Sequence, residues 1–380
     1  MALAVVFQIG SLGDTIVSIP ALLSLRELLP DCSEYLLVSS RAEAQVKVTS
    51  AHVFDMVWKP RLEITYYWHG AAWRKAFSTA SALARLRYYR PRCAVSLMPV
   101  NRSQRQIERD KLFFHAAGIR ELIGFRTCTN DELSSSGEAK IRDTQAYLRF
   151  RRLWNEEADG KYQAYATPPL LKPNDRAIAA VDQWLLHHRV FPERNLVALC
   201  PFSNHPSRDL PDTTILEILT RLDREHLEVV LMGGHKDRQR AQELLTRAGA
   251  GLNACGDMSL EESAALLKRC GVAICTESGP MHLAGALGVP CVSTFSQVNE
   301  RMSRWFPLGN DHTILYQDVS CAGCRLVACK VEGHPCMNGI RADQIVAAVD
   351  RKLNGRSMGL EMANGTCILE WPPVLKPQPC

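Results

Sequence analysis

The alternation of apolar and polar positions is clearest between Gly271 and Phe295. Residues 272–275 form a short apolar run with β-branched members, which predicts a strand. Thr276-Glu277-Ser278-Gly279-Pro280 then reads as a turn. Met281, Leu283, Ala284 and Leu287 recur at helical spacing, Gly288 stops the helix, and residues 289–295 predict a second apolar strand. Ser278 and Gly279 fall where that helix begins, and Pro280 suits its first turn. Free backbone N–H groups there, backed by the positive end of the helix dipole, suit a phosphate or diphosphate. Glu277, Ser278 and His282 would add polar groups at the same rim. A plain strand–helix–strand crossover with a polar turn accounts for the same pattern.

The same rhythm runs through the chain. Residues 2–9 predict a strand, Gly10-Ser11-Leu12-Gly13-Asp14 a turn, and Ile16, Ile19, Leu22, Leu23 and Leu25 a helix. Strands are expected at 35–39, 53–58 and 93–98, with a helix at 71–89. This alternation argues for a doubly wound parallel sheet. Residues 128–141 are polar and turn-rich, so a surface loop is expected. A helix at 144–155 ends the first half, and 164–174, with Pro168, Pro169 and Pro173, is the best linker. The second half repeats the alternation: helix 177–188, strand 195–200, helix 214–222, strand 228–232. Residues 344–353 predict the last helix, and 354–380 an irregular tail that Trp371 would anchor.

Composition changes this picture little. At 380 residues, two domains are expected; 46% hydrophobic and 22% charged residues are ordinary for a globular protein. The formal charge of +5 permits anionic partners without demanding them. No apolar run reaches the ~18 residues of a membrane span, and the first ten residues lack the basic start of a signal peptide. A cytoplasmic protein is therefore expected. Of the 14 cysteines, most are scattered singly on apolar stretches, as reduced core cysteines would be. Cys321, Cys324, Cys329 and Cys336 are clustered.

Several residues could carry chemistry. Asp14, near a helix start, is either a cap or a carboxylate at the mouth of an open α/β sheet, where ligands bind. Arg102, Arg105 and Arg109 are spaced three and four apart; such a helical face is either solvated or set for anions. Ser203 and Arg208 follow a predicted strand and could meet phosphate. Asp237, just past Gly233-Gly234, is either a helix cap or a ribose contact. The spacing Cys321-x2-Cys324-x4-Cys329-x6-Cys336 could close a tetrahedral zinc or iron site, though it is tighter than a zinc ribbon.

Glu277-Ser278-Gly279-Pro280-Met281-His282-Leu283-Ala284 resembles the donor-site signature of glycosyltransferase family 9, the ADP-heptose heptosyltransferases, with Glu in place of the usual Asp. Gly256-Asp257-Met258-Ser259-Leu260-Glu261-Glu262 also fits, and the chain opens like that family, with Ser11-Leu12-Gly13-Asp14 and then Pro20-Ala21-Leu22. The resemblance implies a GT-B fold, two Rossmann-like doubly wound domains facing across a cleft. It sets an acceptor domain at 1–165 and a donor domain at 175–340, with 341–380 packing back on the first. It implies inverting transfer of heptose from ADP-heptose to a lipopolysaccharide core sugar, with Asp14 as general base.

Ser203, Arg208, Asp237, Glu277, Ser278, Gly279 and His282 would then hold the donor. Arg208 stands where the family has a diphosphate-binding lysine. Ser11, Gly13, Arg102 and Arg105 would meet an anionic acceptor, bringing the enzyme to the cytoplasmic face of the inner membrane. No cofactor would be needed for transfer and no nucleic acid is involved. The four-cysteine spacing resembles heptosyltransferases of the second-heptose type; structural zinc or iron, labile disulfides and reduced thiols all stay open. The competing readings are a transferase or GT-B epimerase using another nucleotide sugar, and an inactive nucleotide-sugar-binding protein.

Overall fold

The computed structural model describes residues 2–40, 50–66, 71–128, 140–190, 195–296, 302–321, 323–324, 326–354, 361–363 and 366–372. The chain divides between Leu170 and Leu171 into two compact units. That division falls inside the proline-bearing stretch that the sequence marks as a linker.

In the first unit, β1 (Ala2–Phe7), β2 (Cys32–Ser40), β3 (Leu62–Tyr66), β4 (Cys93–Ser96) and β5 (Glu121–Ile123) form one sheet in the order β3-β2-β1-β4-β5. All its pairings are parallel. Helices cover both faces, so β4 and the second half of β1 are buried throughout and read as near-continuous apolar runs. Phe7 packs edge-on against Phe114 at 5.3 Å and stacks with Phe125 at 6.2 Å, which ties the Gln104–Ala116 helix to the sheet.

The expected third strand at 53–58 is instead the Ser50–Asp55 helix and the turn after it; the third strand is Leu62–Tyr66. A short apolar run has no period of its own, and here Val53 and Phe54 enter the core from a helix. Most of the expected 128–141 loop lies outside the described residues.

In the second unit, β6 (Leu196–Cys200), β7 (Glu228–Leu231), β8 (Leu252–Asn253), β9 (Val272–Thr276), β10 (Cys291–Phe295), β11 (His312–Gln317), β12 (Glu361–Ala363) and β13 (Thr366–Trp371) share a sheet. Its order is β12-β13-β11-β10-β9-β6-β7-β8. Everything from β11 to β8 is parallel; β13 adds antiparallel to β11, and β12 to β13. Thus 361–363 and 366–371 are not an irregular tail: they pair as strands and complete the sheet edge. Trp371 is buried, as an anchor should be, against Phe306 at 4.8 Å.

In the last long helix, Ala342–Leu353, Ile345, Val346, Ala348 and Val349 enter the core of the second unit, with Ile218, Leu222, Val272 and Ile274. Its apolar stripe matches the sheet face beside it, which lies nearer in sequence. Lys352 at its end is buried between Asp311 at 2.7 Å and Glu370 of β13 at 2.6 Å.

Candidate functional site

Both sheets have a point where the strand order reverses: between β1 and β4 in the first, between β6 and β9 in the second. In open α/β sheets ligands bind outside the carboxyl ends of the strands at such points. The sequence candidates concentrate at these two places.

In the first unit, Asp14 follows β1 in the short Leu12–Ile16 helix, capped by Ser11. Asp14 Oδ2 accepts from the Ser11 backbone N–H at 3.0 Å and from Ser11 Oγ at 2.9 Å. The capping reading is therefore realised, and it orients the carboxylate. Gly10 is required here: a Cβ would sit 2.4 Å from Asp14 Cβ. The Asp14 side chain is 20% exposed, so the carboxylate stays within reach of solvent. Ser11 is exposed beside it, whereas Gly13 is buried.

The other partner of Asp14 escaped the sequence reading. Arg149, fully buried on the Gln145–Trp154 helix, approaches Asp14 Oδ1 with Nη2 at 3.4 Å and donates from Nη1 to the Asp14 carbonyl at 2.5 Å. Nη1 also donates to the Leu97 carbonyl past β4, at 3.1 Å. One guanidinium thus joins the ends of β1 and β4. Burial pushes it down to about 10, against the opposing pull of Asp14. Arg152 beside it donates to the Ser96 and Met98 carbonyls at 3.0 and 2.7 Å. The available signal was the helix itself: nine of its ten residues are buried, so a basic residue in it had to find an internal partner.

The arginine row is broken up. Arg102 precedes the Gln104–Ala116 helix, outside its Ser103 cap, and pairs with buried Asp110 at 2.5 Å. Arg109 takes the other Asp110 oxygen at 3.2 Å. Arg105 is exposed. The three do not share one helical face, because the helix starts two residues after Arg102.

In the second unit, two loops meet at the reversal. The loop after β6 carries Ser203 and Arg208; the turn after β9 carries Glu277, Ser278 and Gly279. Arg208 Nη1 donates to the Glu277 carbonyl at 3.4 Å, and its Nε lies 3.7 Å from Glu277 Oε1. The same Oε1 accepts from the Ser296 N–H at 3.2 Å and from Ser296 Oγ, which ties in the end of β10. Glu277 therefore holds the turn and Arg208 together from a buried position. Ser278 stands at the start of the Gly279–Leu287 helix without a side-chain cap bond, its Oγ donating instead to the Thr276 carbonyl at 3.3 Å. The first-turn N–H groups are consequently not taken by a cap.

Lys236 joins this rim and was not singled out in the sequence. Its Nζ donates to the Ser203 carbonyl at 2.9 Å and to Asn204 Oδ1 at 3.2 Å. Burial, then Arg208 and Lys236, hold His205 below the ordinary imidazole range. Asp237 is turned inward, its Oδ2 accepting from the Gly234 N–H at 2.8 Å, so the capping role is the one realised. His282 is buried, edge-on to Trp305, and does not reach the rim surface.

The four clustered cysteines line one small pocket with His334, Ser207 and Ser296. All four are free thiols. Among the described residues no three His, Cys, Asp or Glu side chains stand in metal-holding geometry, so the structural metal is not supported. Cys336 is buried at the start of the Pro335–Asn338 turn, Cys324 is exposed, and Cys329 Sγ turns to the Val331 carbonyl. Burial and the neighbouring thiols push Cys336 up to about 11. The segment has another task. Ser207 N–H donates to the Val327 carbonyl at 3.0 Å, Ser207 Oγ to Leu326 at 2.5 Å, and His334 Nε2 meets the Ser207 carbonyl at 2.8 Å. The cysteine segment therefore braces the loop that carries Arg208.

The geometry has counterparts among known proteins. A family model described as glycosyltransferase family 9 (heptosyltransferase) matches residues 117–334, more than half of the chain. Lipopolysaccharide heptosyltransferase 2 of Salmonella typhimurium is 30% identical over 109 residues, 27% of this chain and 31% of that protein. The Escherichia coli protein of that name is 28% identical over 109 residues. The chain thus matches less than a third of the length of these curated relatives. A family 9 glycosyltransferase from Veillonella parvula superposes with a TM-score of 0.74 at 18% identity, over 93% of this chain and 98% of that one. Heptosyltransferase II of E. coli does so at 0.66 and 16%, over 93% and 99%. Their shared fold is GT-B, and the matched family model covers both loops of the second-unit rim: this chain belongs to glycosyltransferase family 9, the heptosyltransferase family.

Proposed function

We propose that the protein is an inverting glycosyltransferase that moves a heptose from ADP-heptose to a hydroxyl of a lipopolysaccharide core sugar. The observation that carries this is the rim at β6 and β9 of the second unit. Arg208, Lys236 and an uncapped helix start converge there, in a family 9 chain. Two cations and free N–H groups suit a diphosphate. The donor identity draws on two E. coli heptosyltransferase structures, one with ADP and one with a fluorinated ADP-heptose, with TM-scores of 0.57 and 0.53.

In this reading Asp14 takes the proton of the acceptor hydroxyl as its oxygen attacks the anomeric carbon. The bond from that carbon to the diphosphate oxygen breaks, and ADP leaves with the electron pair. Arg208, Lys236 and the open first-turn N–H groups of the Gly279–Leu287 helix offset the charge that grows on the leaving diphosphate. No metal is assigned a step, since these cationic groups serve that purpose. Ser11 and Gly13 shape the acceptor side, and exposed Arg105 meets its anionic groups.

The test is donor turnover with a core oligosaccharide acceptor, alongside calorimetry with ADP. Wild type should bind ADP and transfer. Asp14→Asn should bind ADP equally and transfer ~10²- to 10⁴-fold more slowly. Equal rates would remove Asp14 as the base. ADP binding without any turnover across an acceptor screen would favour the inactive binding protein.

A further inference from the structure

The Ala72–Tyr89 helix of the first unit breaks the usual rule for a surface helix. Its inward side is made by Ser78, Ala82 and Leu86. Its outward side should be polar. Instead Trp73, Phe77, Ala80, Ala84 and Tyr88 recur at steps of four, three, four and four, and all five are exposed. That spacing sets them in one stripe along the helix. Trp73 is 67% exposed, Phe77 74% and Tyr88 80%. Leu112, on the neighbouring Gln104–Ala116 helix, is a further exposed apolar side chain. Most of the large exposed apolar side chains among the described residues lie on these two helices.

The charge around the stripe is one-sided. The helix has no acidic residue but carries Arg74, Lys75, Arg85 and Arg87, with Arg90 at its cap. Arg74 and Arg85, three turns apart, fall on one flank of the stripe. Arg74 lies over the Trp73 ring at 5.2 Å. Neither Arg74, Lys75 nor Arg85 forms an ion pair among the described residues. An aromatic stripe bordered by basic residues is the composition of a helix that lies in the plane of a membrane interface, rings in the acyl boundary and cations at anionic headgroups. A partner protein held by apolar packing alone would not call for this excess of unpaired positive charge.

We propose that this helix docks the protein on an anionic phospholipid bilayer, with Trp73 and Phe77 inserted and Arg74 and Arg85 at the headgroups. The docking does not rest on the transferase reading, because bare lipid suffices to test it. The experiment is flotation of the full chain with vesicles of phosphatidylethanolamine and about 30 mol% phosphatidylglycerol, against pure phosphatidylcholine, at low and high salt. Binding should need the anionic lipid and weaken with salt. Trp73→Ala with Phe77→Ala should lower it at least about tenfold. Arg74→Gln with Arg85→Gln should lower it ~25-fold, at about fivefold per arginine. Leu186→Ala, an exposed apolar residue of the second unit, should leave it within about twofold. Thermal melts of all variants should match wild type, since the side chains are exposed.

Equal binding to both lipids, unchanged binding of the paired aromatic variant, or an equal loss with Leu186→Ala would overturn the proposal. So would self-association in sedimentation that the aromatic variant abolishes, which would make the stripe a contact between copies.

Discussion

At the scale of single residues, the candidate chemistry depends on side chains held by distant partners. Asp14 is oriented by Ser11 three residues away and by Arg149, 135 residues on in the sequence. Arg149 serves three acceptors from one planar fork, which a lysine ammonium cannot reproduce. Arg149→Lys should therefore lower kcat about tenfold or more while leaving ADP affinity, which we propose resides in the second unit, within about twofold. Calorimetry and single-turnover transfer would separate the two, and a parallel loss of ADP binding would refute this division of labour. Arg208 is similar. Its sequence position suggested a phosphate contact, but the contacts with Glu277 and the brace from Ser207 explain why it stays at the rim.

At the scale of elements, β11 holds a pH-sensitive joint. His312 is buried at its start; Nδ1 accepts from the Cys291 N–H at 3.1 Å and Nε2 lies 2.9 Å from the Leu308 carbonyl. Both bonds fit only the neutral ring with its proton on Nε2. Burial lowers its pKa from 6.5 to about 4. Between these values the unfolded chain binds a proton there that the folded chain does not. Stability from this ring is therefore fully present above pH 6.5 and is lost as pH falls toward 4. The loss is on the order of 3 kcal/mol. Melting temperature against pH should show this slope, and His312→Gln should flatten it. An unchanged slope would place the acid sensitivity elsewhere.

At the scale of the whole chain, the second unit is closed by its last segment. Lys352 links the Ala342–Leu353 helix to Asp311 and to Glu370 on β13. Glu370 also accepts from Thr313 Oγ1 at 2.8 Å. Removing a buried cation strands its carboxylate, at a cost of about 3–5 kcal/mol. Lys352→Met should thus destabilise the second unit by about that much in denaturant unfolding. Adding Glu370→Leu should recover most of it. If the single variant costs less than about 1 kcal/mol, the pair is not what holds the edge strand. No helix among the described residues is long and apolar enough to cross a membrane.

The two-unit α/β organisation, the proline-bearing division and the turns at the carboxyl ends of the strands were legible because each is encoded locally. A period of two or of 3.6, a helix-starting Ser-Gly-Pro and a glycine under Asp14 act through near neighbours. Tertiary structure decided the rest. Which strands lie side by side set the reversal points and brought Arg208 to Glu277. A partner 135 residues away determined what holds Asp14. The segment that carries the four thiols braces the loop of Arg208 through Leu326, Val327 and His334, contacts that cysteine spacing does not announce. The 53–58 run became helix and turn, and 361–363 and 366–371 became sheet edge, because segments without a clear period take the conformation that their long-range neighbours can bury.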